Sequence, residues 1–275
     1  MSVIAETLAR LRREGQKGFI PFITAGDPNL QTTCDLLVEL SRAGASVIEL
    51  GVPFSDPVAD GPVIQRSSMR ALRKGIGIPE ILDVVRDARE KMNVPIVLFS
   101  YLNPLLHFGI EKLSVEARRA GVDGLLVTDL SPDESETAQL LATVLKENDL
   151  DRIFLVAPTT TDQRLRMIAE RASGFIYAVS RTGVTGERSE VSAEAAKLVA
   201  RLRAFTDLPV AVGFGISTRD QVSEVWRYAD AAVVGSAIVA EIERLAGTAN
   251  LVELIGKFTK ALLPSAPRNC RSASH

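Results

Sequence analysis

The sequence has little of two residue types that carry much enzyme chemistry. Across 275 residues, Cys34 and Cys270 are the only cysteines, and His107 and His275 the only histidines. That excludes a disulfide framework and a zinc-ligand pattern. A Ser-His-Asp or Cys-His mechanism would have to use His107, because His275 is the last residue. An excess of one charge is also missing. Thirty-two basic against thirty-four acidic residues leave a net charge of −2, so nothing marks the chain as a binder of nucleic acid or of an anionic membrane. No apolar run reaches the roughly 18 residues of a membrane helix. The first residues, Met1 to Glu14, alternate charged and apolar side chains and lack the apolar stretch of a signal peptide. A cytoplasmic protein is expected, its chemistry left to carboxylates, hydroxyls and backbone amides.

What is present is ordinary for a soluble globular chain: 46% hydrophobic and 24% charged residues, which excludes disorder and collagen. The length suits two small domains or one α/β barrel. Eight short aliphatic or β-branched runs read as strands: Gly18–Ile23, Val47–Leu50, Pro95–Ser100, Gly124–Thr128, Arg152–Val156, Phe175–Val179, Pro209–Gly213 and Ala231–Val234. They are nearly continuous in apolar character, as expected where both faces of a sheet are covered. Segments of helical period lie between them, such as Leu30–Ala43 and Val191–Phe205. A joint also recurs. Arg42-Ala-Gly-Ala-Ser resembles Arg119-Ala-Gly-Val-Asp, with looser copies at Arg171 and Tyr228. Each reads as a helix end, a turn and a buried strand. Eight repeated units of this kind close into a (β/α)8 TIM barrel. The alternative, an open doubly wound sheet, wants Gly-x-Gly-x-x-Gly after its first strand, and Thr24-Ala-Gly-Asp-Pro28 does not match. Ile4–Arg13 is expected to be an extra helix plugging the barrel bottom. Residues 1–263 then form one barrel domain, and 264–275 a frayed tail.

In such a barrel the site is built at the carboxyl ends of the strands. Strand alternation points Val47 and Glu49 inward and Ile48 and Leu50 toward the helices. Glu49 is then a carboxyl near the top of an apolar barrel, where burial raises its pKa. It is either functional or satisfied by a neighbouring hydroxyl or lysine. The loop Gly51–Pro62 is long for its class and carries Asp56 and Asp60. Asp60 either joins Glu49 in acid–base work or merely makes a turn and caps the next helix, with Pro62 at its first position. Glycines follow the last three strands, in Ser180-Arg-Thr-Gly-Val-Thr-Gly186, Gly213-Phe-Gly-Ile-Ser217 and Gly235-Ser-Ala237. Together they suit a phosphate held by loop amides and a helix N-terminus, although glycines also make ordinary turns. The loop through Arg188 is long enough to act as a lid. Phe22, Phe99, Leu126, Tyr177, Phe214 and Val233 lie at or just past strand ends and either line an apolar pocket or form ordinary core. Thr24-Ala-Gly-Asp27 and Tyr101-Leu-Asn103-Pro read as turns, Asp129 as a cap for the helix that follows it, and Cys34 as core.

Four of these segments, Phe22–Pro28, Ile48–Pro62, Ser180–Gly186 and Gly213–Ser217, closely resemble the tryptophan synthase α chains, over essentially residues 1–263. The motif around Glu49 is very specific, whereas the phosphate-loop glycines are shared with several phosphosugar barrels. The resemblance implies a lyase that cleaves indole-3-glycerol phosphate by a retro-aldol step to indole and glyceraldehyde 3-phosphate. It implies no metal or organic cofactor in this chain, and a β-chain partner that carries pyridoxal phosphate within an αββα assembly. Residue by residue, Glu49 matches the proton-transfer group and Asp60 the acceptor of the indole N–H. Phe22, Tyr177 and Phe214 match substrate contacts, and Gly186, Gly215, Gly235 and Ser236 phosphate binders. Asp56 and Thr185 match a pair that meets on loop closure. Where many members carry proline, this chain has Thr128 and Ser131, in loops near the partner surface. Two alternatives stand beside the lyase: a catalytically silent subunit that only activates its β partner, and a different phosphosugar isomerase barrel.

Overall fold

The computed structural model describes residues 2–132, 135–179, 188–213 and 215–264. Eight parallel strands close in chain order into a barrel: β1 (Gly18–Thr24), β2 (Ile48–Gly51), β3 (Ile96–Ser100), β4 (Gly124–Val127), β5 (Asp151–Val156), β6 (Ile176–Val179), β7 (Val210–Gly213) and β8 (Ala231–Val234). Each lies within one residue of the run that announces it. Helices cover the outside: α2 (Leu30–Ala43), α3 (Pro62–Leu72), α4 (Ile78–Arg89), α5 (Leu102–Phe108), α6 (Ile110–Ala120), α7 (Glu136–Glu147), α8 (Asp162–Arg171), α9 (Arg188–Arg203), α10 (Arg219–Val225), α11 (Ser236–Leu245) and α12 (Leu251–Leu262). The expected (β/α)8 barrel is the observed fold. α9 stops before Phe205, because Ala204 and Phe205 donate to the carbonyls three residues back and tighten the chain into a turn. Residues 265–275, most of the expected tail, lie outside the described residues. No helix among the described residues is long and apolar enough to cross a membrane.

Strand alternation divides the core in two. Ile20, Phe22, Val47, Val97, Phe99, Leu126, Ile153, Tyr177, Ala211, Ala231 and Val233 belong to an inner cluster. Phe19, Ile23, Ile48, Leu50, Ile96, Leu98, Leu125 and Phe154 pack against the helices. The expected extra helix is α1 (Val3–Arg13), started by the Ser2 hydroxyl, which accepts the Ala5 N–H. Ile4 and Leu8 of α1 are buried in the inner cluster, so this helix closes the bottom of the barrel. Glycine makes the room: a Cβ on Gly18 would stand 2.8 Å from the Leu8 side chain, and one on Gly124 3.0 Å from that of Ile4.

The recurrent joint is real in its two close copies. α2 ends at Gly44 and α6 at Gly121, both left-handed, with φ of 109° and 96°, which closes the last turn without a Cβ clash. The looser copies close differently. α8 ends in extended backbone at Ala172, and the left-handed residue is Gly174. The Tyr228 copy has no glycine and runs directly into β8.

Candidate active site

Glu49 is the second residue of β2, in register with Phe22 of β1 and Val97 of β3. Both neighbours are inner-cluster residues, so the carboxyl stands in apolar surroundings inside the barrel. It is 1% exposed, and its Oε1 has no hydrogen-bond partner among the described residues. The reading that a hydroxyl or lysine satisfies it therefore fails at that oxygen. Desolvation pushes its pKa up to about 8, because the anion has nothing to replace lost water. Tyr177 of β6 is buried within the same barrel. Its hydroxyl is held well above its ordinary pKa by burial and then by the Glu49 charge. Gly213 on the adjacent β7 is what lets that ring in, since a Cβ there would lie 2.1 Å from the Tyr177 Oη.

Asp60 sits at the end of the β2–α3 loop. It does not cap α3: the cap position is Gly61, with Pro62 at the first turn as expected. A glycine in extended backbone lets the chain enter the helix, and that frees the Asp60 carboxylate to bond the Tyr101 hydroxyl. Burial raises the Asp60 pKa to about 6, and the Tyr101 bond holds it back from going further. The Tyr101 hydroxyl also accepts the Ala59 N–H at 3.0 Å, and its ring lies 5.1 Å from that of Phe54. Tyr101 thus moors the loop to the end of β3. From the sequence alone Tyr101 reads only as part of a turn. Its position directly after a strand, at the face where barrels build sites, was the available signal.

Phe22, Thr24, Gly51, Val52, Asp60, Ile64, Ser68, Phe99 and Tyr101 line one narrow cleft at this end. Phe22 and Phe99 meet edge to face, 5.4 Å apart. The touching rings form an aromatic wall at this end of the barrel, with Asp60 as a polar group beside it. Leu126, Tyr177 and Val233 belong to the inner cluster with them. Thr24 bonds Ser67 of α3 at 2.6 Å, and Asp27 receives two bonds of 2.8 Å from Arg70 of α3. The Thr24–Asp27 turn is therefore a brace for α3. Asp129 is a brace as well, but not for the helix after it: it accepts the N–H of Leu102, the first residue of α5. Asp56 is exposed, with its carboxylate bonded to Ser55. His107 is exposed on α5, and Cys34 is buried core.

Of the glycine segments, Gly215, Gly235 and Ser236 are described. They leave β7 and β8, which are neighbours in the barrel. Gly215 has a φ of 79°, open only to glycine without strain. Gly235 and Ser236 start α11, which has no side-chain cap, unlike α10 with its Thr218–Gln221 box. Its first amides are therefore available to an anion. A Cβ on Gly235 would lie 3.4 Å from the Phe22 side chain, so this helix start adjoins the aromatic wall. Thr185, Gly186 and Phe214 lie outside the described residues, as does the lid segment before Arg188.

A barrel with a desolvated carboxyl, a second carboxyl beside an aromatic wall and uncapped amides nearby has the parts of an acid–base enzyme of the (β/α)8 class. Comparison with known proteins makes the class specific. The family model described as tryptophan synthase alpha chain matches residues 8–261. The chain is similar to the tryptophan synthase alpha chain of Geobacter sp. (strain M21), 50% identical over 95% of this chain and 97% of that protein. It is 47% identical to that of Neisseria gonorrhoeae, over 95% and 98%. Among solved structures, the alpha subunit from Legionella pneumophila str. Paris superposes with a TM-score of 0.86 at 34% identity, covering 95% and 97% of the two chains. A chain of tryptophan synthase from M. tuberculosis in an aminoacrylate-bound form gives 0.83 at 33%, covering 95% and 100%. The chain belongs to the tryptophan synthase alpha chain family, and its activity is that family's lyase reaction in tryptophan biosynthesis, the retro-aldol cleavage of indole-3-glycerol phosphate.

Proposed function

We propose that Glu49 moves the proton in this cleavage and that Asp60 steadies the charge it creates. The observation that carries the reading is the buried Glu49 Oε1 inside the barrel, which has no hydrogen-bond partner among the described residues. With its pKa near 8, Glu49 is neutral at neutral pH and holds a proton to give. Transfer to C3 of the indole ring makes the ring nitrogen cationic, and Asp60, ionised above about pH 6, accepts the N–H. The stabilisation grows with the charge, so it acts on the path and not on the resting substrate. The glycerol hydroxyl then returns a proton to the Glu49 carboxylate. The C–C electron pair falls back into the ring, and indole and glyceraldehyde 3-phosphate separate with Glu49 again neutral.

Phe22 and Phe214 flank the ring in this reading, and Tyr177 lies toward the glycerol end. Gly186, Gly215, Gly235 and Ser236 hold the phosphate, and Asp56 and Thr185 meet when the lid closes. Residues 1–263 act as one catalytic unit in the cytoplasm, with no cofactor in this chain. A β chain carrying pyridoxal phosphate takes up the indole in an αββα assembly.

Indole release from indole-3-glycerol phosphate, with and without a tryptophan synthase β chain, tests both parts. Release that rises with the β chain is expected. No release in the presence of a β chain shown to bind would leave a silent activating subunit.

A further inference from the structure

A cleft of about 750 Å³ lies away from the catalytic end. It lies at the bottom of the barrel, between α1, α7 and the starts of β5 and β6, and its lining includes Arg118, Lys146, Asp151, Arg152 and Arg171. Arg152, the second residue of β5, is nine-tenths buried, and its Nη2 has no hydrogen-bond partner among the described residues. The guanidinium stacks on the Phe154 ring at 4.6 Å. Stacking serves the face of the group and does not answer the in-plane N–H donors of Nη2. Desolvation, with the Arg171 charge adding to it, lowers the Arg152 pKa to about 10. A buried cation without an acceptor is costly, and nothing in the lyase reaction at the other end uses it.

The carboxylates of the cleft do not supply the acceptor. Asp123 is held by Arg89 at 2.6 Å and by the Ile96 N–H. Asp151 accepts the Ser2 hydroxyl. Asp149 is exposed. Arg118 and Lys146 of the lining are exposed, so the cleft combines a buried guanidinium with exposed cations. That arrangement matches a small oxyanion: two oxygens meet the planar guanidinium and the others meet the exposed cations. We propose that this cleft is a binding site for a small dianion, of the phosphate or dicarboxylate class, with Arg152 as its buried anchor.

Amide NMR of the labelled chain, titrated separately with inorganic phosphate and with succinate, tests it. The probes are the Leu150, Arg152 and Ser173 amides, read apart from Gly235 and Ser236 at the other end. Saturable shifts of the bottom amides with at least one anion are expected, and which anion acts tells phosphate from carboxylate. Arg152→Met should weaken that binding about tenfold or more, on the worth of a charge-assisted bond. Lys146→Ala, an exposed change, should weaken it by a smaller factor and covers the case in which Arg152→Met does not fold. Bottom amides that stay unmoved at tens of millimolar of both anions would overturn the proposal. So would binding that neither variant weakens.

Discussion

Asp27, Asp123, Asp151 and Asp230 are buried or nearly so, like Glu49, and each is answered. Arg70 gives Asp27 two bonds of 2.8 Å. Arg89 and the Ile96 N–H hold Asp123, the Ser2 hydroxyl reaches Asp151, and Asp230 takes Arg203 and the Val210 N–H. Three of these four stand at the start of a strand, where they fasten the barrel bottom. Glu49 stands within its strand, in register with Phe22 of the cleft, and its Oε1 has no partner among the described residues. This fold pairs buried acids elsewhere, so a lone one at the site end is not a packing accident. The pairing serves stability, and its absence leaves a proton available for chemistry.

The contrast predicts opposite phenotypes. Glu49→Gln should lower kcat by roughly a hundredfold or more while the barrel stays folded. The stability of the parent relative to this variant should fall as pH rises from 4.5 toward about 8, since the native state keeps a proton that the unfolded chain releases. Denaturant melts at several pH values would read that slope. Asp60→Asn should cost about a hundredfold in turnover. In the parent, kcat/KM against pH should be bell-shaped, rising through about 6 as Asp60 ionises and falling through about 8 as Glu49 loses its proton. A profile flat across that range would sink the two assignments together. Asp230→Asn inverts the pattern: a loss of about 1–3 kcal/mol in stability, seen in urea melts, with kcat unchanged. The smallest effect belongs to Tyr101→Phe. Losing its bond to Asp60 should move the acidic limb to higher pH, because that bond now holds the Asp60 pKa down. Turnover should drop by only a few-fold, and a limb that does not move would detach Tyr101 from Asp60.

Much of this was legible in the sequence. The eight strands were, because each is apolar on both faces and bounded by turn residues. The inward direction of Glu49 followed from its parity with Val47, and both lie inside the barrel. The roles of Tyr101 and Asp129 were not legible, because each depends on a partner brought close only by barrel closure: Ala59 lies 42 residues from Tyr101, and Leu102 lies 27 from Asp129. The sequence left Asp60 between acid–base work and a cap for a local reason, since an aspartate before Gly-Pro ordinarily serves the helix that follows; the structure gives the cap position to Gly61. The orphaned Arg152 left no trace either, as an arginine opening a strand reads as solvated until the flanking helices are in place.

The central claim is that Glu49 holds its proton at neutral pH. Carboxyl 13C NMR of the glutamate-labelled chain measures this directly, with the resonance assigned by its loss in Glu49→Gln. The account predicts a midpoint near 8. A midpoint near 4.5, the ordinary value for this group, would mean that the carboxyl is solvated or paired, and the assignment of the proton to Glu49 would fall.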